Sequence, residues 1–271
     1  MSTNYSDTSL DRLAERANVP SVPRRSRWLI VGLPLWVLLG FVVANVVLVG
    51  LLIAMQALNV PVDSINSTVF NTLLAVVVYV FSLAIVVGLP WVTMRRRTTR
   101  REMGIDTLPK WSIILLTPLA FVVYSVVSAL LIYTVSRFVA GFDVGQAQSI
   151  GFSDLTQGYQ LLLAFITLVI LAPVAEEALF RGYLFGKLRR LSPFWVATLM
   201  TSVVFAALHL PGDSALQWNV AIDVFALSII LSVLREKTGS IWAGVLLHML
   251  KNGLAFYILF INPSILTTIG A

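Results

Sequence analysis

The chain has 271 residues, of which 58% are hydrophobic and only 12% charged, where a soluble domain is usually about 45–50% apolar and about 25% charged. That excess is too large for one globular core, so the chain reads as all-α, a polytopic bundle of transmembrane helices. The absence of cysteine excludes disulfides, thiolate metal sites and a cysteine nucleophile. The net charge of +6 sits in short clusters between apolar runs, which argues for an orientation signal and against a nucleic-acid surface.

Residues 1–27 are polar and end in "RRSR"; they read as a flexible cytoplasmic tail. The first apolar run is too long for a secretory signal and is expected to remain as an anchor. Seven apolar segments follow, near 28–57, 68–94, 111–137, 158–186, 193–210, 217–234 and 241–261. The working range is six to eight spans, because the first and fourth are long enough to hide a bend or an interfacial stretch. Lys and Arg cluster before the first span, after the second ("MRRRTTRRE"), after the fourth ("KLRR") and after the sixth ("REK"). The connections near 58–67, 139–157 and 211–216 carry neither. That alternation predicts a multi-pass protein of the plasma membrane, with its N-terminus cytoplasmic and its C-terminus outside.

Spans one to three hold almost no ionisable side chain, and spans four to seven hold nearly all of them. The expected division is a tail at 1–27, a three-helix membrane bundle at 28–157 and a membrane domain at 158–271 that carries the chemistry. Charge at membrane depth costs several kcal/mol, so the stretch "APVAEEALFRGYL" in the fourth span needs a reason. Helical spacing predicts that Glu177 and Arg181, four residues apart, pair on one face. Glu176 is rotated about 100° away and is free to act as a general base.

The two histidines of the chain both fall in apolar spans, His209 in "FAALHLP" and His248 in "LLHMLKN". Phe205 shares a face with His209, and Asn252 shares one with His248. Asn219 and Asp223 either orient His209 or are residues favoured near a helix N-terminus. Lys251 either neutralises a nearby carboxylate or reaches towards an interface. Glutamate, two histidines and an asparagine form a set suited to hydrolysis: a desolvated carboxylate deprotonates water, and His and Asn donors stabilise an oxyanion. Glu176, His209 and His248 are also zinc-type ligands, so a divalent metal stays open, although no HExxH is present.

These residues resemble the motifs of the CPBP family, the CAAX-protease and bacteriocin-processing membrane proteins once called Abi proteins. "EEALFR" is similar to its EExxxR motif, "FAALH" to FxxxH and "HMLKN" to HxxxN. Phe225 is the best match to the Phe of the third motif, with Ser228 and Ser232 where small residues are usual. The resemblance covers about residues 158–256. It implies an intramembrane endopeptidase related to the type II CAAX prenyl endopeptidases, in which Glu176 and His209 activate water. By the same resemblance His248 and Asn252 stabilise the oxyanion, and Glu177, Arg181, Phe205 and Phe225 support the site. The implied partners are the lipid bilayer and a membrane peptide or protein substrate, which need not be prenylated. The readings from other classes are a non-catalytic bacteriocin-immunity or scaffold protein and a proton-coupled transporter. The lack of repeat symmetry counts against the transporter.

Overall fold

The structure is a computed structural model that describes residues 24–95, 97–108, 110–139, 142–145, 150–152, 155–212 and 216–265. Most of the expected N-terminal tail therefore lies outside the described residues. Runs of Leu, Val, Ile and Phe with few breakers form the helices α1 (Arg24–Ala57), α2 (Ser67–Met94) and α4 (Trp111–Phe138), and the polar turn α3 (Arg100–Met103) lies between the last two. After them come α5 (Gly158–Leu188), α6 (Phe194–Leu208), α7 (Trp218–Thr238) and α8 (Trp242–Ile261). The described residues contain no strand, as expected for a chain that must satisfy its backbone hydrogen bonds inside lipid.

Six of these helices are long and apolar enough to cross a membrane, and the chain is a multi-pass membrane protein. The fifth expected span, 193–210, is the exception. Its helix α6 has 15 residues and rises ~22 Å, short of the ~30 Å hydrocarbon core. The cause is local. Pro193 caps its start and His209 leaves the helix at φ −100°, ψ 0°, with Pro211 close behind to prevent continuation. Elsewhere single side chains set the ends: Asn66 accepts from the amides of Thr68 and Val69 at 3.0 and 3.4 Å and starts α2.

The long α5 is not a regular rod. It widens into π-helical turns at Ile166–Leu171 and Ala178–Phe185, where the N–H bonds five residues back rather than four. The six residues between them, Ala172–Glu177, are α-helical and carry both glutamates.

The three N-terminal spans and the C-terminal helices share their cores. Val37 of α1 and Val86 of α2 are buried in one cluster with Phe180, Leu184 and Phe185 of α5 and Phe205 of α6. Tyr124 of α4 is buried with Leu227 and Leu231 of α7 and Leu247 of α8. The most enclosed of the six long apolar helices is α7, with 44% of its apolar window buried against 11–17% in α1, α2 and α4, which the rest of the protein leaves uncovered over most of their surface. Where helices approach closely, residues are small: Thr198, Thr201 and Ser202 on α6 and Ser228 and Ser232 on α7 are fully buried.

The basic connection after α2 is fastened to the ends of the C-terminal helices. Thr99 and Glu102 form a reciprocal cap on α3. Gly104 follows at φ +72°, where a Cβ would stand 2.6 Å from Cζ of Arg235, so the position requires glycine. The Gly104 carbonyl accepts from the Ile241 amide at 3.1 Å, the Ile105 carbonyl from Trp242 Nε1 at 2.8 Å, and the Glu102 carbonyl from Arg235 Nη2 at 3.0 Å.

Candidate active site

Glu176 and Glu177 stand three and four residues past Pro173 on α5. Glu177 is fully enclosed. Its Oε1 lies 3.0 Å from Arg181 Nη1 and 3.5 Å from His248 Nδ1. Helix α8 comes so close that a Cβ on Gly244 would sit 2.7 Å from Glu177 Oε2. Arg181 is also fully buried, with its guanidinium carbon 4.7 Å from the centroid of the Phe205 ring. Two opposite charges in contact, roofed by an aromatic face, are the arrangement in which a desolvated ion pair persists.

Glu176 looks the other way. It accepts a 2.6 Å hydrogen bond from the Tyr79 hydroxyl at Oε1, and His248 Nε2 stands 3.8 Å from its Oε2. His248 thus bridges the two glutamates, at distances longer than most hydrogen bonds. Glu176 lines a cavity of about 760 Å³ together with Phe41 and Val46 of α1, Tyr79 of α2, Phe180 of α5 and His209. It is the one carboxylate among the described residues lining that cavity, whose walls are otherwise mostly aliphatic and aromatic.

His209 is half-buried at the end of α6. Its Nδ1 is 2.8 Å from the carbonyl oxygen of Phe205, one of the carbonyls that the end of a helix leaves without an amide. A carbonyl only accepts, so Nδ1 carries the proton, and Nε2 of the neutral ring is left as an acceptor. Phe205 stands between the histidines, its ring centroid 4.6 Å from that of His209 and 6.0 Å from that of His248. The fully buried Phe205 therefore packs on Arg181 and on both histidines at once.

The remaining expected residues lie elsewhere. Asn252 donates from Nδ2 to the Leu168 carbonyl at 2.9 Å and lines a separate small cavity of about 70 Å³ beside Lys251. Phe225 on α7 is half-buried and does not line the larger cavity. Asp223 accepts from Tyr124 Oη at 2.6 Å and Ser128 Oγ at 2.5 Å on α4 and pairs with Lys251 Nζ at 3.5 Å. Of the two readings of Lys251, the carboxylate partner is the one seen, and Asp223 is engaged by α4 and α8 rather than by His209. Asn219 donates towards the Val144 carbonyl at 3.5 Å.

No three His, Asp or Glu side chains among the described residues stand close enough to share a metal ion. Glu176, His209 and His248 as placed do not make the three-ligand set of a catalytic zinc. Tyr79, by contrast, went unread in the sequence. Its signal was faint: one phenol inside "LAVVVYVFSL", away from the interfaces where tyrosine is common in membrane helices.

Comparison with known proteins agrees with the motifs. Residues 158–254 match the family described as type II CAAX prenyl endopeptidase Rce1-like, a stretch that contains every expected site residue and excludes Tyr79. The chain is similar to an uncharacterised 24.3 kDa protein of Escherichia coli, 35% identical over 91 residues, which are 33% of this chain and 41% of that protein. It is similar to YdiL of Bacillus subtilis, whose name makes it a candidate membrane peptidase, at 27% identity over 42% of this chain and 50% of the relative. A third relative is the membrane-embedded CAAX protease MroQ of Staphylococcus aureus, 29% identical over 36% of this chain and 39% of the relative. The matches thus span half or less of each relative's length. No solved structure matches the chain.

Proposed function

We propose that the chain is an intramembrane endopeptidase that hydrolyses a peptide bond of a membrane-associated peptide or small protein, with its N-terminus in the cytoplasm. The observation that carries this reading is the division of labour between two adjacent carboxylates. Glu177 is tied up by Arg181, while Glu176 borders a large apolar cavity beside His209. The family match at 158–254 supports the same reading.

In this mechanism a peptide lies in the cavity between α1, α2 and the end of α6. Glu176 takes a proton from a water molecule, and the resulting hydroxide adds to the scissile carbonyl to form a tetrahedral oxyanion. The Tyr79 hydroxyl occupies Oε1, so Oε2 is the oxygen that receives the proton. His209 Nε2, an acceptor in the tautomer fixed by the Phe205 carbonyl, holds the second hydrogen of the same water. His248, 3.8 Å from Glu176 Oε2, is the ring placed to donate an N–H to the developing oxyanion. Collapse of the intermediate breaks the C–N bond as Glu176 returns its proton to the departing amine.

The test is cleavage of apolar reporter peptides, and of native membrane proteins read by their new termini, in liposomes holding the purified chain. Glu176→Gln is expected to lose roughly 10²–10⁴-fold in rate while retaining its thermal transition. Full turnover in that variant overturns the assignment. Loss of no function in a variant lacking Glu176, His209 and His248 together would favour the non-catalytic immunity or scaffold reading instead.

A further inference from the structure

We infer that Asn252 is a positioning residue that holds the helix turn presenting Glu176, by supplying a hydrogen bond that Pro173 cannot. The inference deepens the endopeptidase reading and rests on it for its activity measurement alone.

The argument starts from the register of α5. At Ile166–Leu171 the helix is π-type, so each amide bonds to the carbonyl five residues back; the Ala172 amide reaches the Thr167 carbonyl in this way. The next donor in the series is residue 173, and its acceptor is Leu168. Residue 173 is proline, which has no N–H. The Leu168 carbonyl is thereby left without its register partner inside a membrane helix, where an unsatisfied backbone group costs several kcal/mol. Asn252 Nδ2 occupies that place at 2.9 Å.

The neighbourhood is built for this contact. Helix α8 packs along the π-helical stretch of α5, and a Cβ on Gly253 would be 3.5 Å from Val169 Cγ1. Val169 and Phe256 are buried together there with Ala164. Asn252 is one helical turn beyond His248 on the same face of α8, so one helix both places an imidazole between the glutamates and secures the π-helical stretch that precedes them. Glu176 follows Pro173 by three residues, within the α-helical segment that begins at Ala172. A change of register at 168–173 turns Glu176 relative to Tyr79 and the cavity, and a misplacement of about 1 Å in a reacting group costs on the order of 10²-fold in rate.

A direct donor to the oxyanion and a clamp on Leu168 make opposite predictions when the missing amide is restored. Pro173→Ala returns an N–H to position 173. The experiment is a double-mutant cycle over wild type, Asn252→Ala, Pro173→Ala and the double variant in detergent or liposomes. It measures kcat and KM together with hydrogen exchange of the amides at 174–177. If Asn252 acts through Leu168, Asn252→Ala lowers kcat about 10²-fold with little change in KM and opens exchange at 174–177. Both effects then shrink to within about threefold in the Pro173→Ala background. An equal loss of kcat in both backgrounds with unchanged exchange overturns the inference and makes Asn252 a donor to the reaction. If Pro173→Ala does not fold, exchange in Asn252→Ala alone decides: undisturbed protection at 174–177 overturns the clamp. If the wild-type chain cleaves nothing, the endopeptidase reading fails by itself, and the exchange measurements still decide the role of Asn252.

Discussion

At the scale of single residues, Glu176 and Glu177 are separated by burial and by partner rather than by chemistry. Glu177 and Arg181 are both fully buried and in contact at 3.0 Å. Glu177→Gln therefore leaves a guanidinium charge enclosed under Phe205 without its carboxylate, and is expected to destabilise the fold by about 3–5 kcal/mol. A lowered thermal transition of the purified variant, larger than that of Glu176→Gln, checks this. Tyr79 acts at the other carboxylate. Removing its hydroxyl in Tyr79→Phe deletes the 2.6 Å hydrogen bond to the Glu176 carboxyl, worth about 0.5–1.5 kcal/mol, and frees Oε1 to rotate. On the proposed mechanism the expected result is a fall in kcat of about tenfold or more with KM unchanged, since there the hydroxyl orders the base and the substrate does not depend on it. A variant that changed KM alone would place Tyr79 against the substrate instead.

At the scale of elements, α5 owes its shape to breaks in its hydrogen-bond register, with Pro173 between a π-helical turn and the glutamates. The short α3 and the chain that follows it serve a different end, fastening the α2–α4 connection to α5, α7 and α8. One fastener is ionic: Arg190 Nη1 is 2.7 Å from Glu102 Oε1. The Arg190 guanidinium, with the Thr99 amide at the cap, holds the Glu102 carboxyl below the usual range. A carboxyl whose value is lowered in the fold adds stability above its unfolded value of about 4.3 and loses it as pH falls through the depressed folded value. Proteolytic cleavage within 97–108 is accordingly expected to rise as pH is lowered below about 4, through loss of this local fastening. In Glu102→Gln the cleavage is expected to be raised already at neutral pH and to show a weaker pH dependence. The side chain is partly exposed, so the effect is local opening rather than global unfolding.

At the scale of the whole molecule, the N-terminal spans supply walls and one hydrogen bond of the candidate site. Val37 and Val86 pack into the core around Phe180 and Phe205, Phe41 and Val46 wall the cavity, and Tyr79 bonds Glu176. A chain truncated to 158–271 keeps every motif residue and loses all of these. It is expected to be inactive and to show a lower thermal transition, with activity partly restored when residues 1–157 are supplied as a separate chain. Full activity of the truncated chain would mean that the C-terminal helices alone hold Glu176 in place.

Much of this protein was legible from residue order. The apolar excess dictates membrane helices because no other conformation satisfies the backbone in lipid. The four-residue spacing of Glu177 and Arg181 dictates their contact, because a helix repeats every 3.6 residues. The motif resemblance over about 158–256 agrees with the family match at 158–254. Those are local or periodic properties, and a sequence carries them without knowing which helix neighbours which. The short α6 was also written locally: the expected segment, 193–210, is bounded by Pro193 and Pro211, and its helix covers Phe194–Leu208 of it. What only the tertiary structure decided is the pairing between distant helices. Tyr79 meets Glu176 across 97 positions, Asp223 meets Tyr124 across 99, and Asn252 meets Leu168 across 84. No periodicity marks such contacts, because packing chooses among many helices of nearly equal hydrophobicity and polar side chains then take the nearest unsatisfied partner.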